Sequence, residues 1–400
     1  MKVAFLSATG RIGGAERVLL DLLASLRAAE PGWGLHVILL APGPLAERAA
    51  ELGVHVHHLP LPGILARMGD AGGGARSGLL ARLFIAGPAG ALWMVRLKRL
   101  LRRIGPNVVH TNGFKGHVTG AVALPPGARL VWHVHDFVST RPVMAGLLRR
   151  LSPRVSAAIA VSNAVAGDLR GVCGSSFPVH VVYNAVNLAR FNPDGPRAPL
   201  ATMAGMEAEP AGAVTVGLVA TMGVWKGHRV FIDAIARLPR DLPLRAYIVG
   251  GRIYATAGSE EDPDHLRELI SGHGLDGRVG ITGFLDDPAD AMRALDVVVH
   301  ASTQPEPFGL VIAEGMACGR AVIATAAGGA AEIVDDGVNA LTVPPGDAHA
   351  LADAIARLAG DAELRARMGA AGRAKAERRF DRARLAAEVI PVYRAIVEGR

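Results

Sequence analysis

Short apolar and β-branched runs alternate along the chain with longer stretches in which apolar positions recur every three or four residues. The short runs predict strands and the longer stretches predict amphipathic helices. The first half predicts strands at 3–7, 36–40, 54–57, 108–110, 130–134 and 158–161, with helices at 15–29, 45–52 and 91–103. The second half predicts strands at 215–219, 245–249, 279–282, 297–300 and 321–324, with helices at 229–238, 265–273, 310–317 and 348–358. Such alternation is typical of parallel α/β sheets.

The length of 400 residues exceeds that of most domains with one core, so two domains are expected. A stretch rich in Pro, Gly and Ala separates the halves and predicts a linker at 188–213. The predicted domains are 1–187 and 214–380, and a C-terminal helix within 381–400 is expected to pack back toward the first domain. Both domains are expected to be Rossmann-like, doubly wound α/β sheets that face a central cleft. Ligands are expected at the carboxyl ends of their strands.

Composition narrows the protein class. The two cysteines, Cys173 and Cys318, are too few for a disulfide framework or a metal cluster, which suits a reducing compartment. The N-terminus runs directly into a strand and a Gly-rich loop, so a cytoplasmic location is expected. The longest uncharged apolar run, 83–95, is too short to cross a bilayer as a helix.

Positive charge is concentrated in the first half. Residues 1–185 contain 20 Lys and Arg against 8 Asp and Glu, and the remainder contains 23 against 28. The predicted helix at 91–103 places Arg96, Arg99 and Arg103 on one face and an apolar stripe on another. These arginines form either a solvated face or a peripheral attachment to an anionic membrane surface. Nucleic acid is not expected as a partner, because the region has few aromatic residues for base stacking.

The segment 304–315 has the most informative chemistry. Pro305 and Pro307 bracket Glu306, so its backbone is expected to be extended, and a helix that carries Glu314 then begins near Gly309. A helix N-terminus offers unpaired N–H groups to a diphosphate, and a glycine permits close approach. Glu314 would reach a ribose attached to that diphosphate. An acidic residue in a helix is common by itself, but the surrounding PEPFG and GMACG residues favour the functional interpretation.

The region 299–347 resembles the signature of glycosyltransferase family 4, whose members are retaining enzymes of the GT-B fold. The segments WKGH at 225–228, VVYNAVNLARFNP at 181–193, VVHTNG at 108–113 and IGGAERVLLDL at 12–22 fit the same family. The resemblance implies that Glu314 holds the donor ribose and that Glu306 lies at the sugar. It places the backbone of Phe308, Gly309 and Leu310 near the sugar and phosphate, and it assigns Lys226 to the diphosphate leaving group.

The cationic part of this site departs from the family pattern. Thr221 stands where the family usually has an arginine, and Arg252 is a candidate replacement. His135 matches a family histidine close to the transferred sugar, where it would orient the substrate and stabilise charge. The adjacent His133 is interpreted as a structural histidine.

Other motifs are weaker. Gly13 and Gly14 lie in a loop between the first strand and helix, the context for phosphate or sugar contact, but the spacing of a dinucleotide fingerprint is incomplete. No acidic residue ends the second strand, which argues against an NAD-dependent dehydrogenase. Asp262 and Asp264 suggest a helix cap rather than a metal site.

The predicted function is retaining, metal-independent sugar transfer from a nucleoside diphosphate to a hydroxyl acceptor, in cell-surface polysaccharide or glycolipid synthesis. No metal or other cofactor is expected, and the acceptor is a saccharide or lipid-linked molecule. Two alternatives stay open. They are a sugar-nucleotide epimerase with the same fold and a non-catalytic binding protein at a membrane surface.

Overall fold

The computed structural model describes residues 1–63, 76–251, 260–285 and 287–399, with the backbone alone described over 76–86. The chain divides into two compact units, Met1–Asn184 with Arg382–Arg400, and Ala185–Asp381. The residues predicted to form a linker, 188–213, lie within the second unit.

The first unit is a parallel sheet of seven strands. In chain order these are β1 (Lys2–Ser7), β2 (Gly34–Leu39), β3 (His55–His58), β4 (Val108–Asn112), β5 (Arg129–Val134), β6 (Ala157–Ala160) and β7 (Val179–Val181). They lie in the order β3-β2-β1-β4-β5-β6-β7. The helices are α1 (Gly14–Ala29), α2 (Leu45–Glu51), α3 (Arg76–Ile104), α4 (Phe114–Ala123), α5 (Pro142–Leu151), α6 (Asn163–Cys173) and the C-terminal α14 (Arg384–Glu398), which packs on α1.

The second unit is a parallel sheet of six strands. These are β8 (Val214–Val219), β9 (Leu244–Val249), β10 (Val279–Gly283), β11 (Val297–His300), β12 (Ala321–Thr325) and β13 (Leu341–Val343), in the order β10-β9-β8-β11-β12-β13. The helices are α7 (Leu200–Met203), α8 (His228–Arg237), α9 (Pro263–Gly272), α10 (Pro288–Ala294), α11 (Leu310–Ala317), α12 (Ala348–Gly360) and α13 (Ala362–Arg379).

Both sheets wind outward in two directions from a central strand pair. The pair is β1 and β4 in the first unit and β8 and β11 in the second. Every side chain of β11 is buried, as expected for a central parallel strand covered on both faces. The two Rossmann-like parallel sheets confirm the predicted α/β fold class, and each sheet has a switch point where ligands commonly bind.

Helix α13 packs closely on α11 and on the turn after α11 through glycine. A Cβ atom at Gly369 would lie 2.2 Å from the carbonyl oxygen of Gly319, and a Cβ at Gly372 would lie 3.1 Å from the Met316 side chain. Because a backbone carbonyl cannot move aside as a flexible side chain can, Gly369 sets how near α13 approaches the turn after α11.

We expect Gly369→Ala to lower the free energy of unfolding by about 1–3 kcal/mol through this overlap. An alanine inside a helix would otherwise stabilise it by up to about 1 kcal/mol. Gly360→Ala in α12 is the matched control, because a Cβ there meets no atom within 4 Å. Urea unfolding should show that Gly369→Ala lowers the free energy of unfolding, whereas Gly360→Ala raises it or leaves it unchanged. Equal stabilisation of both variants would contradict the packing constraint.

Candidate functional site

Two loops meet at the switch point of the second sheet, where β8 and β11 lie side by side. The loop after β8 contains a short 3-10 turn, Val224–Lys226, and the loop after β11 contains Glu306. Lys226 Nζ donates a hydrogen bond of 2.6 Å to Glu306 Oε1. The structure therefore brings together two site residues that the sequence placed in separate motifs.

Glu306 is a buried carboxylate, only 8% exposed. Burial alone would raise its pKa, but the Lys226 ammonium and the His300 imidazole hold the pKa of Glu306 well below its ordinary value. Ser302 Oγ donates a further hydrogen bond to Oε1, and His300 Nε2 lies 3.7 Å from the same atom. Glu306 is therefore ionised at neutral pH, and its charge is compensated mainly by Lys226.

The backbone of Glu306 is extended, as its flanking prolines predict. Its N–H donates to Ala327 O at 3.2 Å, and its carbonyl oxygen accepts from Gly329 N at 2.7 Å. This pairing joins Glu306 to the loop after β12. Gly328 makes the approach possible, because a Cβ there would lie 2.6 Å from Glu306 O.

Helix α11 begins directly after this segment. Gly309 precedes it with a φ of +95°, a left-handed conformation that favours glycine, and no side chain caps the helix. The first turn, from Leu310, thus offers backbone N–H groups and the positive end of the helix dipole. Phe308 is buried and meets Phe380 edge to face at 5.8 Å, so it anchors the turn. Glu314 is buried on the same helix.

The position expected to hold an arginine is partly buried. Thr221 follows β8, and the neighbouring Met222 carbonyl accepts a hydrogen bond of 2.6 Å from Glu261 N. Glu261 binds Arg229 through two hydrogen bonds of 2.9 and 3.1 Å. Arg252, the candidate replacement, lies outside the described residues.

The corresponding loop of the first unit follows β1. Gly14 begins α1, and Gly13 N donates to Glu16 Oε2 at 3.1 Å, so Glu16 caps its own helix. Burial raises the pKa of Glu16 to about 7, against the lowering effect of its backbone hydrogen bonds. A ligand at this loop would therefore meet a carboxyl group that is partly protonated near neutral pH.

His135 follows β5, and Asn112 ends the neighbouring β4. His135 Nε2 and Asn112 Oδ1 are 2.5 Å apart. Burial lowers the pKa of His135 to about 3, so the imidazole is neutral at physiological pH. Any stabilisation of developing charge by His135 would therefore come from its dipole rather than from a positive charge. His133 Nδ1 lies 3.2 Å from His110 Nε2, in keeping with the structural role expected of His133.

The site residues found in the sequence divide between the units. Lys226, Thr221 and the 306–314 segment belong to the second unit, and Gly13, Gly14 and His135 belong to the first. Sequence reasoning missed His300, Ser302 and Asn112, which contact the expected site residues. Asn112 and His300 each end a strand beside a switch point, and that position is the signal that could have identified them.

Two further observations concern ions and membranes. No group of three or more His, Cys, Asp or Glu within the described ranges could hold a metal ion. Asp262 Oδ1 accepts a hydrogen bond from Asp264 N and caps α9, as the helix-cap interpretation expected. Among the helices that the structure describes, none is both long and apolar enough to cross a bilayer.

The Lys226–Glu306 ion pair should contribute to stability in a pH-dependent way. We expect Lys226→Met to lower the free energy of unfolding by about 3 kcal/mol or more at neutral pH, because Glu306 stays buried without its cation. Because folding lowers the pKa of Glu306, the ion pair stabilises the folded state at pH values above about 4.3, the ordinary pKa of a glutamate. This stability is lost as the pH falls from there through the lowered pKa. The difference between variant and wild type should therefore shrink on acidification, which urea unfolding at several pH values measures.

Lys375→Met is the matched control. Lys375 Nζ lies 2.7 Å from Asp335 Oδ2, but the Asp335 side chain is 58% exposed. Water can replace the lost partner there, so the cost should stay below about 1 kcal/mol. Equal losses in the two variants would contradict the special role of burial at Glu306.

Two family models match the chain. The model of glycosyltransferase family 4 matches residues 12–190, and the model of group 1 glycosyl transferases matches residues 213–361. The lipopolysaccharide core biosynthesis glycosyltransferase LpsE of Rhizobium meliloti is 35% identical over 163 residues, 41% of this chain and 44% of LpsE. The alpha-maltose-1-phosphate synthase of Mycobacterium tuberculosis is 28% identical over 91% of this chain and 95% of that protein. The chain spans about half the length of the curated relatives that it matches at 33–36% identity.

A solved structure of Anabaena HepE, in complex with UDP and glucose, is 26% identical with a TM-score of 0.81 over 99% of this chain and 100% of HepE. The sucrose-phosphate synthase of Thermosynechococcus elongatus, 22% identical, shares the fold with a TM-score of 0.79 over 100% of both chains. The two family models between them match most of both units. The chain belongs to glycosyltransferase family 4, among the group 1 glycosyltransferases, and has the GT-B fold class.

Proposed function

We propose that the protein is a retaining, metal-independent glycosyltransferase that moves a sugar from a nucleoside diphosphate to a hydroxyl acceptor. The observation that carries the proposal is the Lys226–Glu306 pair, which lies at a sheet switch point beside the uncapped N-terminus of α11. This arrangement combines a cation, the backbone N–H groups of a helix N-terminus without a side-chain cap, and a buried carboxylate. It suits a ligand that has phosphate at one end and hydroxyl groups at the other.

The diphosphate is the leaving group of the reaction. Its charge grows as the glycosidic bond breaks, so groups that stabilise anions accelerate this step. Lys226 and the first turn of α11 would supply that stabilisation without a metal ion. Lys226 would have to share its ammonium between Glu306 and the phosphate, and its three donor hydrogens permit both contacts.

The two glutamates would bind the remaining parts of the donor. Glu306 is ionised and accepts from Ser302 and Lys226 at Oε1, so its carboxylate can also accept hydrogen bonds from sugar hydroxyls. Glu314, buried on α11, would accept from the ribose hydroxyls. HepE was solved with UDP and with UDP-glucose, so we propose a UDP-sugar as the first donor to test.

The acceptor would bind mainly to the first unit. His135 is neutral and Glu16 has a pKa raised by burial to about 7, so this unit presents polar groups with little fixed negative charge. A saccharide or lipid-linked hydroxyl suits such groups. LpsE is a lipopolysaccharide core enzyme, which supports a cell-surface polysaccharide or glycolipid as the class of product.

Donor binding provides the first test. We expect UDP-glucose, or else a GDP-, ADP- or dTDP-sugar, to raise the unfolding temperature. A ligand at 100 times its Kd adds about 2.7 kcal/mol to the free energy of unfolding. Lys226→Ala and Glu314→Ala should reduce the shift, and Lys226→Ala should lower kcat by about 100-fold or more. Glu306→Gln should lower kcat while the variant still binds donor. The control Lys375→Ala removes a paired lysine on α13 and should behave like wild type.

Three outcomes would contradict the proposal. The first is wild-type protein that no nucleotide-sugar stabilises, which favours a non-catalytic binding protein. The second is a donor that is epimerised in the absence of acceptor, which favours the epimerase. The third is a product whose anomeric configuration is inverted relative to the donor, which excludes the retaining mechanism.

A peripheral membrane surface on the first unit is the second part of the proposal. The apolar face of α3 is buried, including Trp93, Leu97 and Leu101. Arg96, Arg99 and Arg103 are exposed, and so are the apolar side chains of Leu92 and Val95, at 54% and 41%.

Helix α5 extends this surface. Helix α4 packs against both α3 and α5, so the three helices are neighbours on the sheet. Val143 and Leu147 are exposed on α5, at 72% and 38%, close to the exposed Arg149 and Arg150. Exposed apolar side chains among arginines match the interface of an anionic bilayer, because the apolar groups enter the headgroup region while the arginines contact lipid phosphates.

Vesicle flotation tests this surface. The triple variant Arg96→Gln, Arg99→Gln and Arg103→Gln should bind vesicles of anionic lipid about 100-fold more weakly, since each basic residue contributes about 1 kcal/mol. The control changes three exposed arginines of the second unit, Arg237, Arg357 and Arg378, to Gln and removes the same charge. Equal loss in both variants would indicate a net-charge effect, and unchanged binding of the α3 variant would refute the surface.

A further inference from the structure

A line of buried polar side chains crosses the first unit beneath its switch point. Tyr393 Oη on α14 lies 2.7 Å from His110 Nδ1, and His110 Nε2 lies 3.2 Å from His133 Nδ1. The ring of His133 then lies against that of His135, with centroids 4.2 Å apart. His135 is bound on its other side by Asn112. The imidazole of His135 is thus held between a ring and an amide.

The hydrogen bonds of Asn112 determine which nitrogen of His135 carries the proton. Asn112 Nδ2 donates to Ala15 O at 3.3 Å, and a carbonyl oxygen can only accept. The opposite end of the amide, Oδ1, therefore faces His135 as an acceptor at 2.5 Å. An acceptor requires a donor, so His135 must carry its proton on Nε2.

The other nitrogen of His135 has no hydrogen-bond partner within the described part of the chain. Nδ1 is buried, so a proton placed there would lack both water and a protein acceptor. The alternative tautomer would also leave Asn112 Oδ1 facing a lone pair. Both ends of the ring thus favour the same tautomer, and protonation of the whole ring is disfavoured as well.

We propose that Asn112 is a positioning residue for His135, fixing the imidazole as the Nε2–H tautomer and in a single orientation. This inference rests on the proposed function and on the family resemblance, which implies that His135 lies close to the transferred sugar. Asn112 also ties the end of β4 to the first turn of α1 through Ala15, so the same side chain joins the histidine to the Gly13–Gly14 loop. Its contribution to catalysis would be geometric, because misplacement of a contacting group by about 1 Å can cost about 100-fold in rate.

Two variants of Asn112 distinguish the positioning of His135 from a purely structural role in holding β4 against α1. Asn112→Leu removes the bonds to both His135 and Ala15, whereas Asn112→Asp keeps an acceptor for His135 and replaces the donor to Ala15 with a carboxylate oxygen. We expect kcat to fall about 10- to 100-fold in Asn112→Leu with the donor KM little changed. Asn112→Asp should retain at least about ten times the kcat of Asn112→Leu. Equal losses in the two variants, or an unchanged kcat in Asn112→Leu, would overturn the inference.

Asn192→Leu is the control for the substitution itself. Asn192 Nδ2 donates to Ala189 O at 2.8 Å, so this variant also loses an amide-to-carbonyl bond, but on the exposed surface of the second unit. Its kcat should equal that of wild type. Thermal unfolding of each variant shows whether a loss of activity reflects a loss of fold.

The tautomer gives a readout that does not depend on turnover. The 15N chemical shifts of the two ring nitrogens distinguish Nε2–H from Nδ1–H, and the His135 signals are identified by their loss in His135→Gln. Wild type should show Nε2–H, and Asn112→Leu should show a mixture of tautomers. A wild-type Nδ1–H tautomer would overturn the inference even in an active transferase. If wild type shows Nε2–H but transfers no sugar, the proposed function fails and Asn112 positions no catalytic group.

Discussion

A buried carboxylate must be compensated, and Glu306 imposes that requirement on the second unit. Its compensating cation, Lys226, lies 80 residues earlier in the chain. The two meet because β8 and β11 are neighbours in the sheet, and their connecting loops leave the same edge. Breaking such a pair at one side leaves an unpaired buried charge, which is costly. The position of both loops therefore depends on the strand order, and the ion pair in turn holds the two loops together.

Two glycines allow the loops to come this close. Gly227 follows Lys226 with a φ of +79°, and a Cβ there would lie 1.9 Å from Ala301 O. Gly328 holds the loop after β12 against Glu306 in the same manner, with a φ of +67°. At both positions a larger residue would meet backbone atoms of the loop that carries the carboxylate. The ion pair and these backbone contacts are consequently parts of one packed arrangement.

The sequence was sufficient to predict the central strands, because buried parallel strands are continuous apolar runs with clear boundaries. It did not predict β7 and β13, which have three residues each and too little pattern to recognise. Helix α13 was also missed, because its sequence is rich in charged and small residues and its buried positions include Gly369 and Gly372.

The candidate site was predictable where local constraints determine the structure. Pro305 and Pro307 fix the extended backbone of Glu306 through rules that act between adjacent residues. The contact between Lys226 and Glu306 depends on the order of strands, which no local pattern encodes. Asn112 was missed for the same reason, because its contact is with a histidine that follows the neighbouring strand, 23 residues away.

The two units have the same kind of sheet topology but different electrostatic environments at their switch points. The polar groups at the switch point of the second unit include an ion pair, Lys226 and a Glu306 that stays charged. At that of the first unit they are Asn112, a neutral His135 and Glu16, whose pKa is raised by burial to about 7. Fixed charges interact strongly with a diphosphate, whereas neutral donors and acceptors match hydroxyl groups without the desolvation of an ion. This difference supports the proposal that the phosphate-bearing substrate binds the second unit and the hydroxyl-bearing substrate binds the first.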